Sequence, residues 1–260
     1  MTERRVEIQG TEALAAEIQG TEALAAEILG TEGGMMETAG MESESENMQS
    51  CETQDTETEG VWKSEDMFYY TALTEDIRRR ITGKSYPDTE EPIQISYDEL
   101  AYVHVLYYDF DAQVQEGELI CSQAIAQDLV EIFSDLYDSR YPIEKIRLID
   151  EYDADDEASM ADNNTSCFNY RTVSGKTKLS NHSYGRAIDI NPLYNPYVRT
   201  ENGETRISPD NAEPYADRGV EFPHKIDKND LCYKLFIQHG FRWGGSWNSS
   251  KDYQHFEKTE

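Results

Sequence analysis

The sequence predicts an α+β fold in which a central antiparallel sheet is flanked by helices. Residues 122–139 place their apolar side chains on one stripe, with the period of an amphipathic helix. Residues 143–149 alternate apolar and charged side chains, as a half-buried strand does. Helical and strand patterns follow one another without a regular βαβ alternation, so an antiparallel sheet is favoured over a parallel one.

Local signals predict the remaining elements. Residues 64–82 suit a helix, because Ser64 can cap its start, acidic side chains come early and arginines come late. A further helix is expected over residues 227–239, where Gly240 is placed to end it. Strands are expected at residues 101–109, 168–173, 187–191 and 253–257, and a long ordered loop at residues 191–226.

Residues 1–60 differ in composition from the rest of the chain. The decapeptide IQGTEALAAE occupies residues 8–17 and recurs unchanged at residues 18–27, and no aromatic residue precedes Trp62. Such a segment cannot bury enough apolar surface to offset the entropy of ordering it. We therefore expect a disordered acidic tail over residues 1–60 and a folded domain over residues 61–260.

The charge of the chain excludes several classes of partner. Its 260 residues include 52 acidic and 23 basic side chains, for a formal net charge of -29. A surface this negative repels nucleic acids and anionic lipids. No apolar run reaches the roughly 18–20 residues that cross a bilayer, so we expect no stable membrane insertion. The start of the printed sequence shows no signal peptide either, since polar residues interrupt residues 6–30.

Two segments carry residues suited to binding a metal ion. His182 and Asp189 lie seven positions apart, with Gly185 between them to allow a turn. His255 supplies a second imidazole near the C-terminus, three residues after Asp252. Two histidines and one aspartate leave a fourth zinc position for water, which is typical of a catalytic site. Residues three apart on a strand face opposite sides, so Asp252 is expected just before the last strand, with a turn between it and His255.

These motifs resemble those of zinc D-alanyl-D-alanine carboxypeptidases of the VanY type, which share a fold with lysostaphin-type peptidases and the hedgehog signalling domain. SNHSYGRAIDINP at residues 180–192 resembles their metal-binding signature. GFRWGGSWNSSKDYQHFE at residues 240–257 is similar to their closing motif. DNNTSCFNYR at residues 162–171 is similar to the stretch that carries their active-site arginine, and NPLYNPYV at residues 191–198 also fits. The resemblance covers about residues 92–260.

The resemblance implies a hedgehog/D-Ala-D-Ala peptidase-like fold and a role for each matching residue. His182, Asp189 and His255 would bind Zn²⁺. Asp252 would be the general base that takes a proton from a water activated by the zinc. Arg171 would steady the developing oxyanion or the substrate carboxylate.

Two further residues are expected to contact the substrate. Ser180 is implied by the resemblance. Trp243 belongs to a tryptophan- and glycine-rich approach over residues 241–247, which could line the cleft or could be ordinary aromatic core. Arg171 also has two interpretations, because an arginine in so acidic a chain could simply pair with a nearby carboxylate.

The expected activity is hydrolysis of peptidoglycan stem peptides by a monomer. A catalytically inactive, zinc-containing wall-binding module on the same scaffold is the alternative, and the presence of Asp252 and Arg171 favours the enzyme. Carboxypeptidase and endopeptidase action both remain open. The substrate implies an extracytoplasmic or cell-wall location, so we expect an apolar anchor upstream of this sequence, with residues 1–60 as a spacer. Without such an anchor, the alternative is a cytoplasmic role on recycled wall peptides or on precursor dipeptides.

Overall fold

The computed structural model describes residues 67–173, 177–201 and 203–259. The predicted acidic tail at residues 1–60 therefore lies outside the described residues. The α-helices are α1 (Glu75–Ile81), α2 (Gln123–Asp138), α3 (Asp156–Ala161) and α4 (Leu231–Gln238). The first six strands are β1 (Tyr69–Ala72), β2 (Leu100–Tyr108), β3 (Val114–Ser122), β4 (Lys145–Ile146), β5 (Asn164–Thr165) and β6 (Ala187–Asp189). The others are β7 (Tyr197–Glu201), β8 (Glu204–Ser208), β9 (Arg242–Trp243), β10 (Ser250–Asp252) and β11 (His255–Glu257).

The strands form several small antiparallel sheets, so the expectation of one central sheet is wrong, although the α+β class is confirmed. Three sheets have three strands each, in the orders β1-β2-β3, β6-β11-β9 and β10-β7-β8. The short strands β4 and β5 form a separate parallel pair.

One hydrophobic core joins the first two of these sheets through α2 and α4. The apolar stripe of α2 is buried there, as its period predicts. Phe236 of α4 stacks on Phe256 of β11, with ring centroids 4.4 Å apart. The strand that carries His255 is thus fixed from behind by aromatic packing.

Three other element predictions need correction. The predicted helix at 64–82 begins later, because β1 occupies Tyr69–Ala72 and Thr74 caps α1 through its hydroxyl. Its residues 64–66 lie outside the described part of the chain. The predicted loop at 191–226 contains the β7–β8 hairpin, and the predicted strand at 168–173 contributes just an isolated bridge between Thr172 and Leu179.

None of the helices in the described ranges has the length and apolar composition that a membrane crossing requires.

Gly185 anchors the metal-motif segment to the end of β3. Its carbonyl accepts a hydrogen bond from the Ser122 backbone N–H at 2.8 Å, and its φ of 62° lies in the left-handed region. A Cβ at this position would stand 2.4 Å from that same nitrogen. Glycine is therefore required here both by backbone conformation and by space.

Gly185→Ala is expected to lower the free energy of unfolding by roughly 2–5 kcal/mol, since left-handed strain and overpacking add. Urea denaturation would measure the loss. Gly203→Ala is the matched control, because φ there is 84° and no heavy atom of the described chain lies within 4 Å of the added Cβ. Equal losses in the two variants would contradict the role of the Ser122 contact.

Candidate metal centre

A short 3-10 helix at Asn181–Tyr184 presents His182. Ser180 caps it, because its hydroxyl accepts a hydrogen bond from the His182 N–H at 3.3 Å. Gly185 ends the helix in a left-handed conformation and lets the chain enter β6 at once. Ser180 is therefore placed to position the histidine, whereas its predicted contact with substrate stays a prediction.

Strand pairing brings the second and third candidate ligands together. His255 of β11 lies directly opposite Asp189 of β6 in the antiparallel register. Side chains at opposed positions share one face of the sheet. The neighbours Ile188 and Ile190 are fully buried on the other side, as alternation along a strand requires.

Hydrogen bonds fix which nitrogen of each imidazole faces the cluster. His182 Nδ1 lies 2.6 Å from the carbonyl oxygen of Cys167, so this nitrogen carries the proton and Nε2 is left with its lone pair. His255 Nε2 lies 3.4 Å from Glu257 Oε2 and donates to it, which leaves Nδ1 for the cluster. Such outer partners orient the histidines of metal sites.

One candidate ligand atom from each of the three side chains lies within 4.8 Å of the other two. His182 Nε2 lies 3.2 Å from His255 Nδ1 and 3.3 Å from one oxygen of Asp189, while His255 Nδ1 lies 3.0 Å from the other oxygen. Tetrahedral zinc with ligands at about 2.0–2.2 Å holds them roughly 3.3–3.6 Å apart. The three side chains are buried and could hold a metal ion, and the donor set suits zinc.

Electrostatics couple the three groups strongly. Burial raises the pKa of Asp189, but the two imidazoles reverse this and hold it well below its usual range. Burial lowers the pKa of His255, yet hydrogen bonds to Asp189 and Glu257 raise it to about 10. In the metal-free protein His255 therefore carries a proton that a cation must displace. Metal affinity is expected to decrease as the pH is lowered.

Asp252 ends β10, and a bend over residues 253–254 separates it from His255 on β11. The predicted turn between the two residues is confirmed, while the strand that ends at Asp252 was not predicted. Gly244 lies close to both residues. A Cβ added at Gly244 would lie 2.8 Å from the Cβ of Asp252 and 3.2 Å from the Cβ of His255. Burial raises the pKa of Asp252 to about 7, and the neighbouring Asp189 charge adds to the effect.

A cavity of about 680 Å³ opens beside these residues. The triad and Asp252 line it, together with Arg171, Gln254 and part of the β7–β8 hairpin. Pockets of this size accommodate small peptides and similar ligands.

Three buried side-chain atoms of the described chain have no hydrogen-bond partner, and all three belong to residues that line this cavity. They are Asp252 Oδ1, Arg171 Nε and Gln254 Oε1. Each such atom costs about 1–3 kcal/mol when it stays unsatisfied. Their concentration in one cavity indicates that a ligand completes it.

Arg171 and Trp243 differ in how well their positions suit the predicted roles. Arg171 lines the cavity and forms an ion pair with Asp156, so the expected pairing with a carboxylate is confirmed, whereas its role towards the substrate stays a prediction. Trp243 lies in the hydrophobic core, where its indole N–H donates to the Tyr253 carbonyl at 2.8 Å. The expected cleft position at Trp243 is therefore wrong, and Trp247 lines the cavity instead.

Comparison with known proteins agrees with this geometry. Residues 174–258 match the family model described as D-alanyl-D-alanine carboxypeptidase. For this segment, the match supports the zinc D-alanyl-D-alanine carboxypeptidase family. The chain matches no curated protein and no solved structure. The matched segment contains the triad and Asp252, whereas Arg171 and Cys167 lie upstream of it.

Glu257 is a residue of the matched segment that the motifs do not single out. It accepts hydrogen bonds from His255 and from the Asn181 side chain, and its pKa is lowered by the first of these. Alternate residues of a strand share a face, so its place two positions after His255 is the signal that could have identified it.

Glu257→Gln is expected to weaken zinc binding about 10–100-fold, as loss of a partner to a metal-bound histidine does elsewhere. Competition with a chromophoric chelator would measure the affinity. Glu204→Gln, on the exposed strand β8, removes a carboxylate far along the hairpin and serves as the control. Unchanged affinity in Glu257→Gln would show that this carboxylate does not orient His255.

Proposed function

We propose that this chain is a zinc peptidase that hydrolyses peptidoglycan stem peptides, with removal of the terminal D-alanine as its main reaction. The observation that carries the proposal is the meeting of three buried candidate ligands in the same cavity as the half-buried Asp252, whose Oδ1 is buried. The family of residues 174–258 supports both the metallopeptidase class and the D-alanyl-D-alanine substrate. A hedgehog-type arrangement, a monomeric state and an extracytoplasmic location belong to the same proposal.

Each residue of the site has a distinct task in this reaction. His182, Asp189 and His255 would hold the ion. When bound, zinc supplies Lewis acidity that makes a water molecule more acidic and polarises a carbonyl group. Asp252 would accept the proton of the attacking water and return it to the leaving amine.

Arg171 supplies positive charge on the cavity wall. Its pairing with Asp156 holds the guanidinium in place, and its Nε–H remains without a partner in the described chain. A donor in this position would stabilise negative charge on the carbonyl oxygen of the cleaved bond or on the substrate carboxylate.

The test is release of D-alanine from a stem pentapeptide by the zinc-loaded protein, with and without a chelator. We expect release that stops with the chelator and returns when zinc is restored. Mass spectrometry of a muropeptide digest would separate loss of one terminal residue from cleavage inside the stem. One bound zinc without cleavage of any wall peptide would overturn the proposal in favour of the wall-binding module.

A further inference from the structure

Gln254 is the least explained of the residues that line the cavity. Its side chain is 2% exposed, and it lies between Asp252 and His255 in the chain. The backbone is fixed, since its carbonyl accepts a hydrogen bond from the Ile190 N–H at 3.0 Å. The backbone of Gln254 is therefore held at the wall of the cavity by this hydrogen bond.

The orientation of the Gln254 amide follows from its contact with Met160. The Nε2 group donates to Met160 Sδ at 3.3 Å. A thioether sulfur is a weak acceptor and no donor, so the reversed amide would bring two acceptors into contact. The amide oxygen is thus the atom left without a partner.

A buried amide oxygen that stays unpaired is destabilising, and an amide oxygen accepts hydrogen bonds but donates none. The other two unpaired atoms of the cavity are an acceptor on Asp252 and a donor on Arg171. A peptide backbone offers both an N–H and a C=O group, and so complements an amide oxygen and a guanidinium N–H on the same cavity wall.

We propose that Gln254 Oε1 accepts a hydrogen bond from a backbone N–H of the substrate, next to the bond that is cut. The inference rests on the proposed function and adds a recognition residue to it. Gln254 selects substrates with a secondary amide at that position, and disfavours those in which an ester oxygen or an N-methyl group replaces the N–H.

The experiment compares amide and ester forms of one peptide in two proteins. The peptide is a stem tripeptide that ends in D-alanyl-D-alanine, and the ester replaces the amide that precedes the scissile bond. We expect the natural chain to prefer the amide by about tenfold in kcat/KM, as one hydrogen bond to a buried group allows. Gln254→Met should lower the rate on the amide and abolish the preference.

Gln127→Met repeats the substitution on the exposed face of α2 and should leave the preference intact. A Gln254→Met protein that still prefers the amide tenfold, or a natural chain that never prefers it, would overturn the inference. Zinc content and the urea midpoint of Gln254→Met identify a variant that has lost its site or its fold. In that case Gln254→Glu, which keeps the shape and an oxygen acceptor, must retain the amide preference. Loss of the amide preference in Gln254→Glu counts against the inference.

Binding distinguishes failure of this inference from failure of the proposed function. Calorimetric titration of the metal-free protein with both peptides reports recognition without catalysis. A chain that binds the amide more tightly than the ester, but cuts neither after zinc is added, contradicts the peptidase and supports Gln254. A chain that cuts the amide and the ester at equal rates supports the peptidase and contradicts the role of Gln254.

Discussion

Replacing Asp252 with asparagine is expected to slow peptide hydrolysis by roughly 10²–10⁴-fold, the usual contribution of a general base. The asparagine amide has almost the same shape, but it cannot take a proton. Since Asp252 lies outside the triad, zinc should still bind at one equivalent. Steady-state kinetics and metal analysis on the same preparation would measure both effects.

The pH dependence follows from the burial of Asp252. Burial raises the pKa of its carboxyl group to about 7 in the metal-free protein. A base works in its deprotonated form, so kcat/KM should fall as the pH drops through the pKa of this group. A bound dication favours the carboxylate and moves that limb to lower pH.

The control for Asp252→Asn is Asp88→Asn. Asp88 is exposed and does not line the cavity. It should leave activity, metal content and the pH profile unchanged. An Asp252→Asn protein that cleaves peptides at the rate of the natural chain would show that another group is the base.

Replacing Asp189 with alanine is expected to remove both the metal and the activity. The change takes away one of three ligands and leaves two buried imidazoles whose nearest nitrogens are 3.2 Å apart. Loss of the several kcal/mol that zinc contributes to such reactions corresponds to on the order of 10³-fold or more in rate. Chelator competition and D-alanine release would report the two effects separately.

Asp128→Ala is the matched control for Asp189→Ala. Asp128 is half-buried and pairs with Lys258 and His239, so its loss should lower stability without touching the metal. Full zinc occupancy in Asp189→Ala, with activity retained, would contradict the assignment of this aspartate as a ligand.

The nearness of His182 and Asp189 could be predicted because their pattern is local in sequence. The segment around these two residues carries its own turn glycine and a strand with buried isoleucines. His255 was identified from its own motif and the family resemblance, and the fold is what shows that β11 brings it opposite Asp189 of β6. The apolar stripe of α2 was predictable for the same reason, as its period is uninterrupted.

Other elements could not be predicted because tertiary contacts override their local patterns. The strand β3 carries two glutamates and a glycine, and Gly117 is required where Ile146 packs against it. The β7–β8 hairpin is rich in charged side chains and shows no apolar alternation. Gln254 gives no signal either, because its unpaired oxygen is a property of the folded cavity.

The carbonyl of Cys167 that holds His182 has a consequence for how short this protein can be made. A fragment starting at residue 174 keeps His182, Asp189, His255 and the whole segment that the family model matches. It loses the acceptor for His182 Nδ1 and the backbone partner that Ser166 gives to Asp189. The smallest unit with an oriented site therefore begins upstream of the matched segment, and truncation at residue 174 would yield a chain whose three candidate ligands are present but unoriented.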